Sequence, residues 1–240
     1  MIDWQAAALA AKRANAAYIE KADDSKSAFS SFGDTWIDLY TTDSHQAVVS
    51  VDQDGSSWLS ISGTRASAGK VLDVFADVSL DVQPVDGGRV TAGVVTGMSD
   101  VWDWALSVIP DDVPVSVCGH SLGASRTHLT PLFLASERIG AMWSFEAPKF
   151  CNAQFYQTYA AELKNMICFL NGRDTWAAWP WFDPRWDSRP PQDHVWLKSI
   201  GFSVIPAAQW PGGGSFGDHS MDLVQSRIEA LAAAQVQPNQ

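Results

Sequence analysis

The chain has 240 residues, which suits one α/β domain with a single buried core and leaves little room for a second. Its 27 acidic and 16 basic side chains give a formal net charge of -11 with no long run of one sign, so neither nucleic acid nor an anionic membrane is expected as an electrostatic partner. Any contact with lipid would have to be apolar.

Asp3 stands where a secretory signal peptide carries its basic region, and no apolar run reaches the ~20 residues needed to cross a bilayer. A protein that is cytoplasmic, or released without a Sec signal peptide, is expected. Residues 4–21 are alanine-rich, with Trp4, Leu9, Tyr18 and Ile19 as anchors, and read as a packed N-terminal helix. Strand patterns follow at 35–40, 47–51 and 57–62. The first two suit antiparallel additions to a sheet edge, and Asp52-Gln53-Asp54-Gly55 makes the turn before the third.

Helical spacing over 90–109 is followed by strand 113–118, helix 121–136, strand 140–146, helix 153–163 and strand 166–171. Alternation of this kind predicts a mostly parallel central sheet with helices on both faces. An irregular stretch rich in Trp, Pro and Asp spans 172–193. A strand near 195–200, a Pro/Gly loop at 211–217 and a helix over 219–234 complete the order, and 235–240 reads as a disordered tail. Without an internal repeat, residues 1–240 are read as one domain. The three cysteines, Cys118, Cys151 and Cys168, lack metal-ligand spacing and read as buried free thiols. No metal and no cofactor is expected, and nothing in the sequence sets an oligomeric state.

Gly119-His120-Ser121-Leu122-Gly123 lies between the apolar run 113–118 and a helix-like stretch. A sharp strand-to-helix turn brings the positions two either side of the serine close to neighbouring backbone, so glycine there is a steric requirement. The turn pushes the Ser121 side chain outward and leaves the Leu122 amide unpaired at a helix N-terminus, where it can donate to an oxyanion. A bare G-x-S-x-G arises by chance in roughly one chain in ten of this length, so the context carries the weight. A serine hydroxyl needs a base, usually histidine oriented by a carboxylate. Of five histidines, His45 lies in an early turn, and His120 and His128 belong to the elbow and its helix. In a parallel sheet the acid and base follow the nucleophile strand in the order Ser, Asp, His, which leaves His194 and His219. Asp174 sits just past a predicted strand end. Asp183 and Asp187 lie deeper in the irregular stretch.

These residues resemble the class 3, fungal-type lipase family of the α/β-hydrolase superfamily. Ile61-Ser62-Gly63-Thr64 resembles its "RGT" oxyanion strand end, 119–123 its GHSLG elbow, Phe145-Glu146-Ala147-Pro148-Lys149-Phe150-Cys151-Asn152 its "FGxPRVGN" strand, and Asn171-Gly172-Arg173-Asp174 its "NxxDxVP" acid loop. The resemblance implies an α/β-hydrolase fold and a lipase or carboxylic ester hydrolase with a catalytic Ser121, Asp174 and His219. It puts the oxyanion hole at Thr64 and Leu122, and it favours His219 over His194 because the family's catalytic histidine lies in a late loop entering the final helix. Ser62, Ala124, Lys149 and the segment Val90-Thr91-Ala92-Gly93 depart from the pattern without removing a triad member. A lipid or small ester is the implied substrate, with phospholipase A1 and small-ester carboxylesterase as alternatives on the same fold. A noncatalytic ligand- or protein-binding relative is the alternative of another class. Trp176, Trp179 and Trp181 follow the acid closely enough to form a substrate wall, and residues 66–76 fall where the family carries a lid.

Overall fold

In the computed structural model, which describes residues 2–64 and 79–236, helix α1 spans Trp4–Ala16. Asp3 caps it, accepting from the amides of Gln5 and Ala6 at 3.0 Å each. Ala7, Ala10, Ala11 and Ala14 repeat at helical spacing and are fully buried. Their small side chains let α1 pack closely against the last helix. A second helix, α2 (Ala22–Ser31), is absent from the sequence expectation. Phe29 is its one fully buried apolar anchor, too little to impose a readable period among its serines and acids.

Strands β1 (Thr35–Thr41), β2 (Gln46–Val51) and β3 (Ser57–Ile61) form where expected. A small hairpin follows, β4 (Val82–Val85) and β5 (Gly88–Thr91), with short helix α3 (Ala92–Val95) and helix α4 (Met98–Val108) after it. Val90 and Thr91 are therefore strand, and Gly97 at φ 74 breaks the rest of the predicted 90–109 helix in two. Beyond lie β6 (Val115–His120), α5 (Leu122–Thr127), β7 (Ile139–Phe145), α6 (Ala153–Thr158), α7 (Ala160–Leu163), β8 (Ile167–Asn171), β9 (His194–Leu197), β10 (Phe202–Ile205) and α8 (Met221–Val236).

The predicted 121–136 helix stops at Thr127. Pro131 has no N–H for the Thr127 carbonyl, which accepts from the Thr130 hydroxyl at 2.7 Å instead. The predicted strand 195–200 ends at Leu197, where a turn through left-handed Gly201 (φ 72) leads into β10, another element the sequence reading lacks. Helix α8 runs two residues into the segment read as a disordered tail, where Gln235 Oε1 accepts from the Trp4 amide at 3.3 Å. Residues 237–240, and the segment 66–76 assigned to a lid, lie outside the described residues.

The central sheet has the order β1-β2-β3-β6-β7-β8-β9-β10. Neighbours from β3 to β9 are parallel, while β1/β2, β2/β3 and β9/β10 are antiparallel. Alternate residues feed two cores on opposite faces. Leu59, Val115, Val117 and Met142 meet α4 residues such as Met98 and Trp102 on one face. Trp58, Cys118, Trp143 and Phe145 meet α1 and α8 on the other. No helix among the described residues is long and apolar enough to cross a membrane.

One buried ion pair ties α1 to the antiparallel edge. Arg13 donates from Nε and Nη2 to the two oxygens of Asp34 at 2.7 and 2.6 Å, and the Ser50 hydroxyl donates to the same carboxylate at 2.8 Å. The Arg13 guanidinium also lies 4.1 Å over the Trp58 ring. Removing one member of such a pair strands the other in a dry site. Asp34→Ala is therefore expected to lower unfolding free energy by about 3–5 kcal/mol, read by urea denaturation. A loss below 1 kcal/mol would contradict the buried pairing.

Candidate active site

The elbow geometry follows from local sterics. Ser121 sits between β6 and α5 at φ 59, ψ -128, a conformation that a side-chain-bearing residue keeps only when its surroundings enforce it. A Cβ at Gly119 would lie 2.4 Å from the Gly123 carbonyl oxygen, and one at Gly123 would lie 2.2 Å from the Ile61 carbonyl oxygen. Both glycines let α5 press against the ends of β6 and β3. The Ser121 amide donates to the Phe145 carbonyl at 3.0 Å, and the Glu146 amide to the Phe169 carbonyl at 2.9 Å, which fixes the ends of three parallel strands beside one another.

Two loops after later strands bring in the partners. His219 Nε2 lies 2.7 Å from Ser121 Oγ, and His219 Nδ1 lies 2.6 Å from Asp174 Oδ2. The remaining oxygen, Asp174 Oδ1, accepts from the Trp176 amide at 2.8 Å. The loops are stitched to each other. The Asn171 amide side chain donates to the Asp218 carbonyl at 2.7 Å and the Arg173 amide to Asp218 Oδ2 at 2.9 Å, while across the Asp174–Ser215 bridge the Thr175 amide donates to the Ser215 carbonyl at 3.1 Å and the Ser215 amide to the Arg173 carbonyl at 2.8 Å. Gly172, at φ 52, allows this approach, since a Cβ there would meet the Asp218 carboxylate at 2.3 Å. Arg227 of α8 donates to Asn171 Oδ1 and anchors the acid loop from below.

His194 does not join this group. It lies within β9, with its Cα paired to Ile205 and Cys168, and lines a small buried cavity with His128 and Ser144. Burial, and secondarily the Arg189 charge, lower its pKa to about 4. Burial likewise lowers His128 to about 3, with the His194 charge second. The free thiols of Cys118 and Cys168 are buried and pushed up to about 12, and burial also raises that of Cys151.

Thr64 is half-buried at the end of the segment after β3, and its Oγ1 has no hydrogen-bond partner among the described residues. A Cβ at the adjacent Gly63 would lie 2.9 Å from Ser121 Cβ, so this segment passes directly beside the serine. Leu122 opens α5, where a first-turn amide has no intrahelical acceptor. The three tryptophans divide. Trp176 and Trp179 are buried and pack together with Leu80, whereas Trp181 is 55% exposed beside Phe182 at 62%. Phe216, 53% exposed and three residues before His219, stacks obliquely on Trp176 with centroids 5.1 Å apart.

Three further residues, which the sequence reading did not assign, belong to the polar cluster. Glu146 Oε2 lies 3.3 Å from His120 Nε2 and 3.9 Å from His219 Nδ1, and Tyr18 Oη lies 2.8 Å from His120 Nδ1. Burial, then the neighbouring Asp174, pushes the Glu146 carboxyl well above the ordinary carboxylate range. Burial, then His219, holds His120 well below the ordinary histidine range, and burial raises the Tyr18 phenol. The sequence signal for Glu146 was a carboxylate at the end of the parallel strand neighbouring the nucleophile strand. His120, Glu146 and His219 each offer one ligand atom within 4.8 Å of the others, a spacing that could hold a metal ion. The two histidines already face proton-sharing partners within the cluster, with Asp174 on His219 Nδ1 and Glu146 on His120 Nε2.

The fold is shared with fungal triacylglycerol lipases. The Rhizomucor miehei lipase in its propeptide complex is similar at 16% identity and TM-score 0.70, over 90% of this chain and 78% of that one. A triacylglycerol lipase from Penicillium expansum is similar at 15% identity and TM-score 0.66, over 90% and 88%. A triacylglycerol lipase whose catalytic centre is formed by a serine protease triad gives 16% identity and TM-score 0.70, over 90% and 92%. No protein-family model matches the chain, and no curated protein matches it by sequence. At these identities the likeness is one of fold, and the chain shares the mostly parallel α/β architecture of these lipases.

Proposed function

We propose that the protein is a serine hydrolase that cleaves carboxylic esters of lipids through an acyl-enzyme. The observation that carries this reading is His219, with Ser121 Oγ at 2.7 Å on one ring nitrogen and Asp174 at 2.6 Å on the other. In the proposed reaction Ser121 Oγ attacks the ester carbonyl while His219 takes its proton and then passes it to the leaving alcohol. Asp174 holds the imidazole tautomer and stabilises the imidazolium. Water then attacks the acyl-enzyme, with His219 again as base. The Leu122 amide donates to the oxyanion, joined by Thr64 through its amide and its unpartnered hydroxyl. The triacylglycerol lipases sharing the fold support a lipid ester as substrate.

A panel of glycerides, phospholipids and soluble esters of graded chain length tests this reading. Preference for long-chain glycerides supports it. Preference for phospholipids would make the enzyme a phospholipase A1, and turnover confined to short soluble esters a carboxylesterase. Absence of both turnover and covalent labelling would leave a noncatalytic binding protein. The exposed rings of Trp181, Phe182 and Phe216 flank the acid and base loops and favour the lipid reading. Trp181→Ala is expected to weaken kcat/KM on long-chain esters several-fold while changing acetate esters little, since one lost aromatic contact is worth about 1 kcal/mol. Equal losses on both would remove Trp181 from substrate binding.

A further inference from the structure

Glu146 is a buried carboxyl beside the site to which the reaction above gives no role. Its backbone is held at φ 57, the left-handed region that costs a side-chain-bearing residue roughly 1–2 kcal/mol and a glycine almost nothing. Its side chain is fully buried, and Oε1 meets no hydrogen-bond partner of good geometry among the described residues. A strained backbone and a desolvated carboxyl are both unfavourable, and both serve to place one oxygen between two histidines.

Glu146 Oε2 and Asp174 Oδ2 converge on the same ring nitrogen, His219 Nδ1, at 3.9 and 2.6 Å. Two ionised carboxylates in a dry site repel strongly, so such a pair retains a proton. The hydrogen bonds decide where the charge rests. Asp174 has a donor on each oxygen, the His219 ring and the Trp176 amide. Glu146 has His120 at 3.3 Å on one oxygen, with the Asn171 backbone and the Asp174 carboxyl as its other close polar neighbours, the latter sharing a proton with it rather than favouring its charge. Around it stand His120 and Tyr18 on the elbow side, Asp174 in the acid loop, and Asp218 and His219 in the base loop. The nearby Asp218 also disfavours a second negative charge.

We propose that Glu146 is a positioning residue for the base His219: Glu146 and Asp174 form a carboxyl pair that carries one negative charge and one proton between them. The assignment rests on the hydrolase reading for its kinetic consequence but not for the protonation of the pair. While Asp174 is ionised, neutral Glu146 braces His120 and the floor beneath the imidazole. When Asp174 is removed, Glu146 loses its like-charged neighbour while its burial remains, so its carboxyl ionises at a lower pH than in wild type and can then set a carboxylate beside His219.

Two measurements test this. In infrared difference spectra recorded across pH, a protonated-carboxyl band is expected in wild type at neutral pH, lost in Glu146→Gln and titrated away at lower pH in Asp174→Ala, where the like charge is gone. Absence of the band in wild type, or an unchanged titration of it in Asp174→Ala, overturns the pair, and the second comparison stands even if Glu146→Gln does not fold. In kinetics, Glu146→Gln is expected to cost about tenfold more in the Asp174→Ala background than in wild type, a coupling within the range for contacting residues. The Asp174→Ala enzyme should also show a pH dependence of kcat/KM that the double variant lacks. A purely structural Glu146 would cost the same factor in both backgrounds, which overturns the proposal. A wild type with no esterase activity and no fluorophosphonate labelling would instead defeat the hydrolase reading and leave the infrared test intact.

Discussion

Ser121→Ala and His219→Ala are each expected to lower kcat by about 10⁴- to 10⁶-fold and to abolish labelling by a fluorophosphonate probe, while His194→Ala keeps Ser121 labelled. The nucleophile and base act as one unit, so losing either removes nearly all of the covalent route. What remains is the binding and oxyanion contribution. His194 provides the internal control, because both residues are buried histidines late in the chain and only one has the serine hydroxyl at 2.7 Å. His194→Ala removes a strand residue of β9 and should show itself in thermal stability rather than in labelling. Mass spectrometry of the modified peptide checks both. Labelling at Ser121 that survives in His219→Ala and vanishes in His194→Ala would reverse the assignment of the base.

Asp174→Asn is expected to cost about 10⁴-fold in kcat with the fold retained. Asp174 Oδ2 faces His219 Nδ1 at 2.6 Å, and that contact keeps the proton on Nδ1 and leaves Nε2 free to accept from Ser121. An asparagine amide can present its own N–H to Nδ1, stabilising the wrong tautomer in an otherwise unchanged loop. Alanine cannot do this, so Asp174→Ala should be less damaging than Asp174→Asn, the more so if Glu146 ionises in its place. Steady-state kcat with melting temperature as the control decides the point. An Asp174→Asn enzyme within tenfold of wild type would exclude Asp174 as the orienting acid.

The sequence by itself determined the features that depend on near neighbours. Glycine at 119 is demanded within a single turn, where a Cβ would lie 2.4 Å from the Gly123 carbonyl oxygen, and glycine at 123 by the neighbouring strand, where a Cβ would lie 2.2 Å from the Ile61 carbonyl oxygen; the pair marks the elbow once the flanking strand and helix patterns are read with it. Strand and helix alternation likewise announces parallel pairing from β3 to β9, because a buried parallel strand must be apolar on both faces. Ser121, Asp174 and His219 were legible as candidates from strand-end positions. Elements with weak amphipathic signals, α2 and β10, were not, since their order comes from packing rather than from their own pattern.

Only the tertiary structure brings His219, and not His194, against Ser121 and Asp174, across separations of 98 and 45 residues that no local rule reaches. The interlocked loops around Gly172, Asp218 and Ser215 hold His219 against the serine, while ladder pairing keeps His194 inside the sheet. The same packing turned Trp176 and Trp179 inward and left Trp181 outside, a division that their shared composition could not foretell. It also converted Glu146 from one acid among many into a buried neighbour of His219, because desolvation and a carboxylate neighbour exist only once three strand ends and two loops have met.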